Sequence, residues 1–126
     1  MCGFCGWIDW NRNLEQERMV LEAMTNTMVR RGPDDEGMFL SKHAALGHRR
    51  LVVVDPEGGK QPMRRSRGGR TCTMVYNGEL YNSDELRNRL KARGWEFFSR
   101  NSDTEVLLLA FMEWGERCLS MLNGIF

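Results

Sequence analysis

The nucleophilic and metal-ligating potential of the chain lies largely in four cysteines, Cys2, Cys5, Cys72 and Cys118, and two histidines, His43 and His48. Cys2 directly follows Met1 and precedes Gly3. Removal of the initiator Met, which a small second residue permits, would leave Cys2 with a thiol and a free α-amine on one residue. An α-amine ordinarily titrates at about 7.7–8.0, so at neutral pH part of it is free to take a proton. One residue then supplies both nucleophile and base, and no separate histidine is required. Read alone, the dipeptide favours a plainer account, a cysteine that behaves as a small buried hydrophobe. Cys2-Gly3-Phe4-Cys5 also fits C-x-x-C, a spacing used for zinc and for thiol–disulfide couples. Zinc would need two further ligands, and Cys72 and Cys118 form no second C-x-x-C. A redox C-x-x-C normally follows a strand and opens a helix, whereas this one starts the chain. Zinc or redox chemistry is therefore the weaker alternative.

The elements that must position these groups belong to a chain of 126 residues, 41% hydrophobic and 28% charged, which is enough for one domain with a core. A net charge of +1 provides no strong overall field for nucleic acid or an anionic membrane. Arg64, Arg65, Arg67 and Arg70 form one basic cluster, interleaved with Ser66, Gly68 and Gly69. It reads as a solvated loop rather than a phosphate contact, because no aromatic residue is interleaved for base stacking. No apolar run approaches the roughly 20 residues of a membrane span. No basic-then-apolar leader is present. A cytoplasmic location with reduced thiols is expected, with neither nucleic acid nor membrane as partner.

Residues 2–9 read as a strand. Leu14 to Met28 reads as a helix whose core face is Val20, Leu21, Met24 and Met28. Arg30 to Gly37 is a loop punctuated by Gly and Pro. Strands are expected at about 37–41 and 44–54, the second beginning at His48–Arg50 and running into the β-branched Val52-Val53-Val54. Residues 55–70 read as a long surface loop. Thr71 to Tyr76 is a strand, with Asn77-Gly78 as a turn. Asn82 and Glu85 start a helix near 84–93 that Gly94 stops. Trp95 to Ser99 reads as a short strand. Ser102-Asp103-Thr104-Glu105 is a capping box that opens an apolar helix, and a shorter helix follows at about 116–121. Because Ile125-Phe126 would open a new apolar segment, the natural chain is expected to continue.

Several stretches in order resemble the glutaminase domain of asparagine synthetases, the class II (N-terminal nucleophile) glutamine amidotransferases. They are Met1-Cys2-Gly3-Phe4, Arg31-Gly32-Pro33-Asp34, Gly47-His48-Arg49-Arg50-Leu51, Gln61-Pro62-Met63, Tyr76-Asn77-Gly78-Glu79-Leu80-Tyr81-Asn82 and Ser102-Asp103-Thr104-Glu105. The resemblance implies an α+β fold, a four-layer α-β-β-α sandwich of two antiparallel sheets, truncated at its C-terminus. Residues 1–126 would be the N-terminal, glutaminase part of a longer chain. Relatives that make glucosamine 6-phosphate or phosphoribosylamine fit less well at His48-Arg49-Arg50-Leu51.

By that resemblance Cys2 is the nucleophile toward the glutamine side-chain amide, and its own α-amine is base and then acid. Asn77, through its side-chain amide, and Gly78, through its backbone N–H, form the oxyanion hole. Donors aimed at a developing oxyanion lower the barrier. Arg50 clamps the α-carboxylate of glutamine, which suits a guanidinium fork. Asp103 pairs with the α-ammonium, although a carboxylate at a helix start is also favoured for purely structural reasons. Backbone groups near Leu51, Val53 and Glu79 complete the pocket. Two positions depart from the pattern. Arg30 stands where His is frequent. Cys5 stands where a small residue is common, so it could tune Cys2 or block it through a disulfide.

The resemblance further implies that ammonia passes to a synthetase domain of the same chain. That domain would use ATP and Mg²⁺ and make asparagine from aspartate. No metal or cofactor is expected within these 126 residues, which contain no Walker-type phosphate loop, and a homodimer is left open. The alternatives are service to another acceptor, or a non-catalytic module that keeps Met1.

Overall fold

The computed structural model describes residues 1–53 and 55–126. Three α-helices and several antiparallel strand pairings make this an α+β chain. It divides into two compact units. The first comprises Met1–Val52, Lys60–Pro62 and Val75–Asn77, and the second Val53–Gly59, Met63–Met74 and Gly78–Phe126.

The first unit is a three-stranded antiparallel sheet with one helix against it. Its strands are β1 (Gly3–Ile8), β2 (Asp35–Leu40) and β3 (Ala44–Arg50), in the order β1-β3-β2. The pleat sends alternate residues to opposite faces. Cys5, Trp7, Met38, Leu40 and Ala45 therefore share the face covered by Leu14 and Leu21. The helix α1 (Arg18–Asn26) follows a 3-10 turn at Leu14–Gln16 and is shorter than the expected 14–28. Its buried stripe is Leu21 and Thr25, one turn apart, and the Thr25 hydroxyl is satisfied by the Leu21 carbonyl at 2.7 Å. Val20, expected in the core, is 47% exposed because it lies about 100° around the helix from Leu21.

The strand expected over 44–54 ends at Arg50, so His48–Arg50 closes it rather than beginning it. The cause is local. Arg50 pairs with Asp35, the first residue of β2, and the residues before Asp35 include Pro33, which has no N–H to give. The next two backbone donors of the chain go to side chains instead. Leu51 N–H points to Cys2 Sγ at 3.4 Å, and Val52 N–H to Asp34 Oδ2 at 2.8 Å. Val54, the end of the expected strand, lies outside the described residues.

The second unit holds β4 (Met63–Arg67), β5 (Arg70–Met74), β6 (Glu79–Leu80), α2 (Ser83–Ala92), α3 (Asp103–Trp114) and β7 (Gly124–Ile125). A 3-10 segment, Gly115–Met121, stands where a shorter helix was expected. Strands β4 and β5 form a hairpin, whereas β6 and β7, far apart in sequence, form a separate antiparallel pair in which Glu79 meets Ile125. The core packs Leu86 and Leu90 of α2 against Val106, Leu109 and Ala110 of α3, with Met63 and Trp95.

Residues 55–70 are thus not one long loop. The arginine cluster forms a hairpin around Gly68-Gly69, whose φ values of 58° and 75° suit a two-residue turn that matches strand twist. Arginines are poor strand signals, but these are held from outside the hairpin. The guanidinium of Arg67 sits 4.1 Å from the centre of the Trp95 ring, and that of Arg65 sits 5.0 Å from the Phe98 ring. Trp95 to Ser99, expected as a strand, forms none. The N–H groups of Phe98 and Ser99 donate instead to the carboxylate of Glu105, at 2.9 and 2.7 Å. The capping box is therefore half made. Ser102 Oγ accepts the Glu105 N–H, but the Glu105 side chain turns away from Ser102 toward that segment. Asn82 precedes α2 but does not cap it. Its amide donates to the Met121 carbonyl and accepts from Asn123 N–H, which ties down the approach to β7.

Candidate active site

In the first unit Cys2 stands one residue before β1, half-buried. Its Sγ lies 3.4 Å from Leu51 N and 3.5 Å from Leu51 O, so one backbone residue grips the sulfur through both its polar groups. Arg31 Nε donates to the Cys2 carbonyl at 3.2 Å. The loop Arg31-Gly32-Pro33-Asp34 thus fixes the nucleophile candidate from one side and, through Asp34, Val52 from the other. Gly32 is needed there, because a Cβ on it would collide with the backbone of Arg49 and Arg50. Arg49 Nε donates to the Gly32 carbonyl at 3.0 Å and pairs with Glu36, so the loop is held at its middle as well.

Arg50, the proposed carboxylate clamp, is the last residue of β3 and only 5% exposed. It lies on the sheet face opposite α1, two residues from His48. Asn77 is half-buried and lies outside the strands, and the Gly78 φ is not in the left-handed region, so Asn77-Gly78 is not the hairpin turn its composition suggests. The residue before it, Tyr76, donates its N–H to Gln61 Oε1 at 2.6 Å and accepts from His48 Nε2 at 3.1 Å. His48 is fully buried, and burial lowers its pKa. The Tyr76 carbonyl pulls that value up, Arg50 pushes it down and Asp35 pulls it up, with a net shift below the ordinary histidine value.

In the second unit Gly78 and Glu79 are exposed, and Val53 is 75% exposed. Asp103 begins α3, half-buried, and its Oδ2 accepts the Leu80 N–H at 3.0 Å. Behind it Glu105 is fully buried and carries an unusual load for a helix residue. It accepts from the Phe98 and Ser99 N–H groups, the Ser99 hydroxyl and Arg65 Nε. Arg87 of α2, also buried, donates to the carbonyls of Ser99 and Ser102 and stacks on Phe97. The segment leading to Asp103 is therefore clamped by one acid and one base. The same unit has a concavity of about 220 Å³ bordered by Arg65, Arg67, Trp95 and Phe98. Its two guanidinium groups are engaged, Arg65 by Glu105 and the Arg64 carbonyl and Arg67 by the Arg93 carbonyl.

Of the residues singled out from sequence, the structure brings Cys2 to Leu51 and Asp103 to Leu80, next to Glu79. Cys2, Arg50, Leu51 and Asn77 belong to the first unit, and Val53, Gly78, Glu79 and Asp103 to the second. Arg31, Asp34, His48 and Gln61 received no role from sequence. All four lie inside the motif stretches, which was the available signal. Cys5 is not a partner of Cys2. Cys2 Sγ rests on the backbone of Leu51, whereas Cys5 Sγ, within β1, lies 3.6 Å from Thr25 Oγ1 on the helix side. All four cysteines are free thiols. Among the described residues no group of three or more His, Cys, Asp or Glu could hold a metal ion, and no helix is long and apolar enough to cross a membrane.

The profile of the family described as "Glutamine amidotransferase domain" matches residues 1–126. The chain is 52% identical over its whole length to "Asparagine synthetase [glutamine-hydrolyzing] 3" of Bacillus subtilis (strain 168), covering 20% of that protein. It is 40% identical to "Asparagine synthetase [glutamine-hydrolyzing] 1" of the same organism, again 20% of its length. It is 34% identical to "Asparagine synthetase [glutamine-hydrolyzing] 1" of Arabidopsis thaliana, of which it covers 21%. The chain spans about a fifth of the length of the curated relatives it matches. With a family match that runs from the first residue to the last, the chain belongs to the glutamine amidotransferase domain family.

Proposed function

We propose that residues 1–126 hydrolyse glutamine to glutamate and ammonia, with Cys2 as an N-terminal nucleophile. The observation that carries this is the seat of Cys2, a thiol held by the backbone of Leu51 at the start of β1 in a chain of this family. Removal of Met1 frees the Cys2 amine. That amine takes the thiol proton while sulfur attacks the carboxamide carbon. The C=O electron pair moves onto oxygen, where the Asn77 side-chain amide and the Gly78 N–H receive the charge. Collapse of the adduct expels ammonia, protonated by the α-ammonium just formed, and leaves a thioester. Water, activated by the same amine, then cleaves the C–S bond and releases glutamate. Arg50 holds the α-carboxylate and Asp103 the α-ammonium, with backbone groups of Leu51, Val53 and Glu79 around them.

The relatives' printed names support a synthetase domain on the same polypeptide that receives the ammonia. ATP and Mg²⁺ would serve that domain, with aspartate as acceptor, in the cytoplasm. The observed helices and antiparallel sheets are compatible with part of a four-layer α-β-β-α sandwich of the N-terminal-nucleophile hydrolases, completed by further chain.

The test uses the native full-length protein and the glutamine analogue 6-diazo-5-oxo-norleucine, with intact and N-terminal mass determined. Loss of Met1, one adduct on Cys2 and loss of glutaminase activity in Cys2→Ala are expected. Active protein that fully retains Met1, or labelling of Cys72 or Cys118 with Cys2 free, overturns the mechanism.

A further inference from the structure

We propose that His48 and Gln61 are positioning residues for the oxyanion hole, acting on Asn77 through the backbone of Tyr76. This rests on the glutaminase reading above. Tyr76 lies outside every strand, so no ladder fixes it. Its two flanking peptide planes are held by side chains instead. Gln61 Oε1 accepts the Tyr76 N–H at 2.6 Å and so holds the Val75–Tyr76 peptide. His48 Nε2 meets the Tyr76 carbonyl at 3.1 Å and so holds the Tyr76–Asn77 peptide. With both planes fixed, φ and ψ of Tyr76 are fixed, and with them the place where the Asn77 side chain starts.

The chemistry of the contact assigns the tautomer. A carbonyl only accepts, so Nε2 carries the proton, and the buried neutral ring has just that one N–H to give. His48 is itself rooted in β3, on the sheet face shared with Arg50. A rigid element thus sets a donor whose sole task here is to aim the next residue. Hole donors must sit within about half an ångström of their working position to be effective. Neither His48 nor Gln61 needs to touch glutamine for this.

The experiment uses the native full-length protein with His48→Leu, His48→Gln and Gln61→Leu. A glutamine side chain can return an amide N–H near the place of the imidazole Nε2. Five readouts separate aim from folding. These are kcat and KM for glutamine, affinity for glutamate γ-semialdehyde, affinity for glutamate, and the rate of Cys2 alkylation by iodoacetamide. The semialdehyde adds the thiol to its C=O and places the new oxygen in the hole; glutamate and iodoacetamide do not use the hole. His48→Leu and Gln61→Leu should lower kcat and semialdehyde affinity by at least about tenfold, with KM, glutamate affinity and alkylation within about twofold, and His48→Gln should recover most of the loss. Unchanged kcat and semialdehyde affinity in the Leu variants overturn the proposal, as does a parallel impairment of all five readouts. If His48→Leu does not fold, Gln61→Leu alone decides by the same criteria. A wild type inert toward glutamine and semialdehyde sinks the glutaminase reading and this inference together. An active wild type with unaffected variants sinks the inference alone.

Discussion

The Asp103 carboxylate accepts the Leu80 backbone N–H at 3.0 Å across 23 residues of sequence. One oxygen of the proposed ammonium contact is thereby tied to Leu80 of β6, directly after Gly78 and Glu79. Asp103 has two separable tasks on this account, a charge for the substrate and an anchor for the strand. Asp103→Asn keeps an oxygen for Leu80 but removes the charge. It should raise KM for glutamine by more than about tenfold with little change in kcat. Asp103→Ala loses both and should lower kcat as well. Steady-state kinetics in the full-length protein check this, and wild-type behaviour in both variants would leave Asp103 as a helix-start residue only.

Arg50 is nearly buried at the end of β3. If it receives the glutamine α-carboxylate, Arg50→Ala should cut kcat/KM by well over about tenfold, since unpairing a buried charge costs several kcal/mol. Alkylation of Cys2 by iodoacetamide, which has no amino-acid head group, should change far less. A matching fall in both rates would show that Arg50 supports the fold around Cys2 and not the substrate.

Glu105 should dominate the acid sensitivity of the second unit. Burial alone would raise its pKa, but the Ser99 hydroxyl, the Phe98 and Ser99 N–H groups and Arg65 outweigh burial and hold it below the ordinary carboxylate value. A folded pKa below the unfolded one means that the unfolded chain takes the proton first. The contribution is complete above about pH 4.3 and is lost as pH falls through the folded value. Urea midpoints compared near pH 7 and near pH 3.5 should show a drop that Glu105→Gln largely removes. At neutral pH Glu105→Ala should destabilise by about 3–5 kcal/mol, because Arg65 and two backbone donors lose their partner.

Cys5 offers a test of a different kind. With Cys5 facing Thr25 and Cys2 facing Leu51, mild oxidation should produce no Cys2–Cys5 disulfide. Peptide mapping under non-reducing conditions reads this directly. Cys5→Ala should leave glutamine turnover and Cys2 alkylation near wild type, and a cross-linked peptide joining the two would refute the strand geometry.

The parts legible in sequence were those with a local cause. β1, α2 with its stop at Gly94, and α3 with Ser102 before it follow from periodicity and breaker residues, and their placement held to within a few residues. The failures have non-local causes. The β-branched run after Arg50 looked like a strand interior, but pairing ended because Pro33 could not continue the ladder. The arginine hairpin was invisible because its support comes from Trp95 and Phe98, about thirty positions downstream. Asn77-Gly78 reads as a turn by composition, and only its backbone shows otherwise. Among the site candidates, the residue types were readable from the motifs. The supports, Arg31 on the Cys2 carbonyl and His48 and Gln61 on Tyr76, were not, since a side chain reaching a distant backbone atom leaves no pattern in sequence.

The Gly68-Gly69 tip has a practical use. A Cβ at either glycine would meet nothing within 4 Å, and both residues are exposed. If the Cys2 amine is the working base, an affinity tag or fluorophore fused ahead of residue 1 would silence the protein it was meant to report on. The hairpin tip offers another door, since exposed loop tips of small residues tolerate inserted sequence. A purification handle or dye-labelling peptide spliced between Gly68 and Gly69 would leave the N-terminus free to mature.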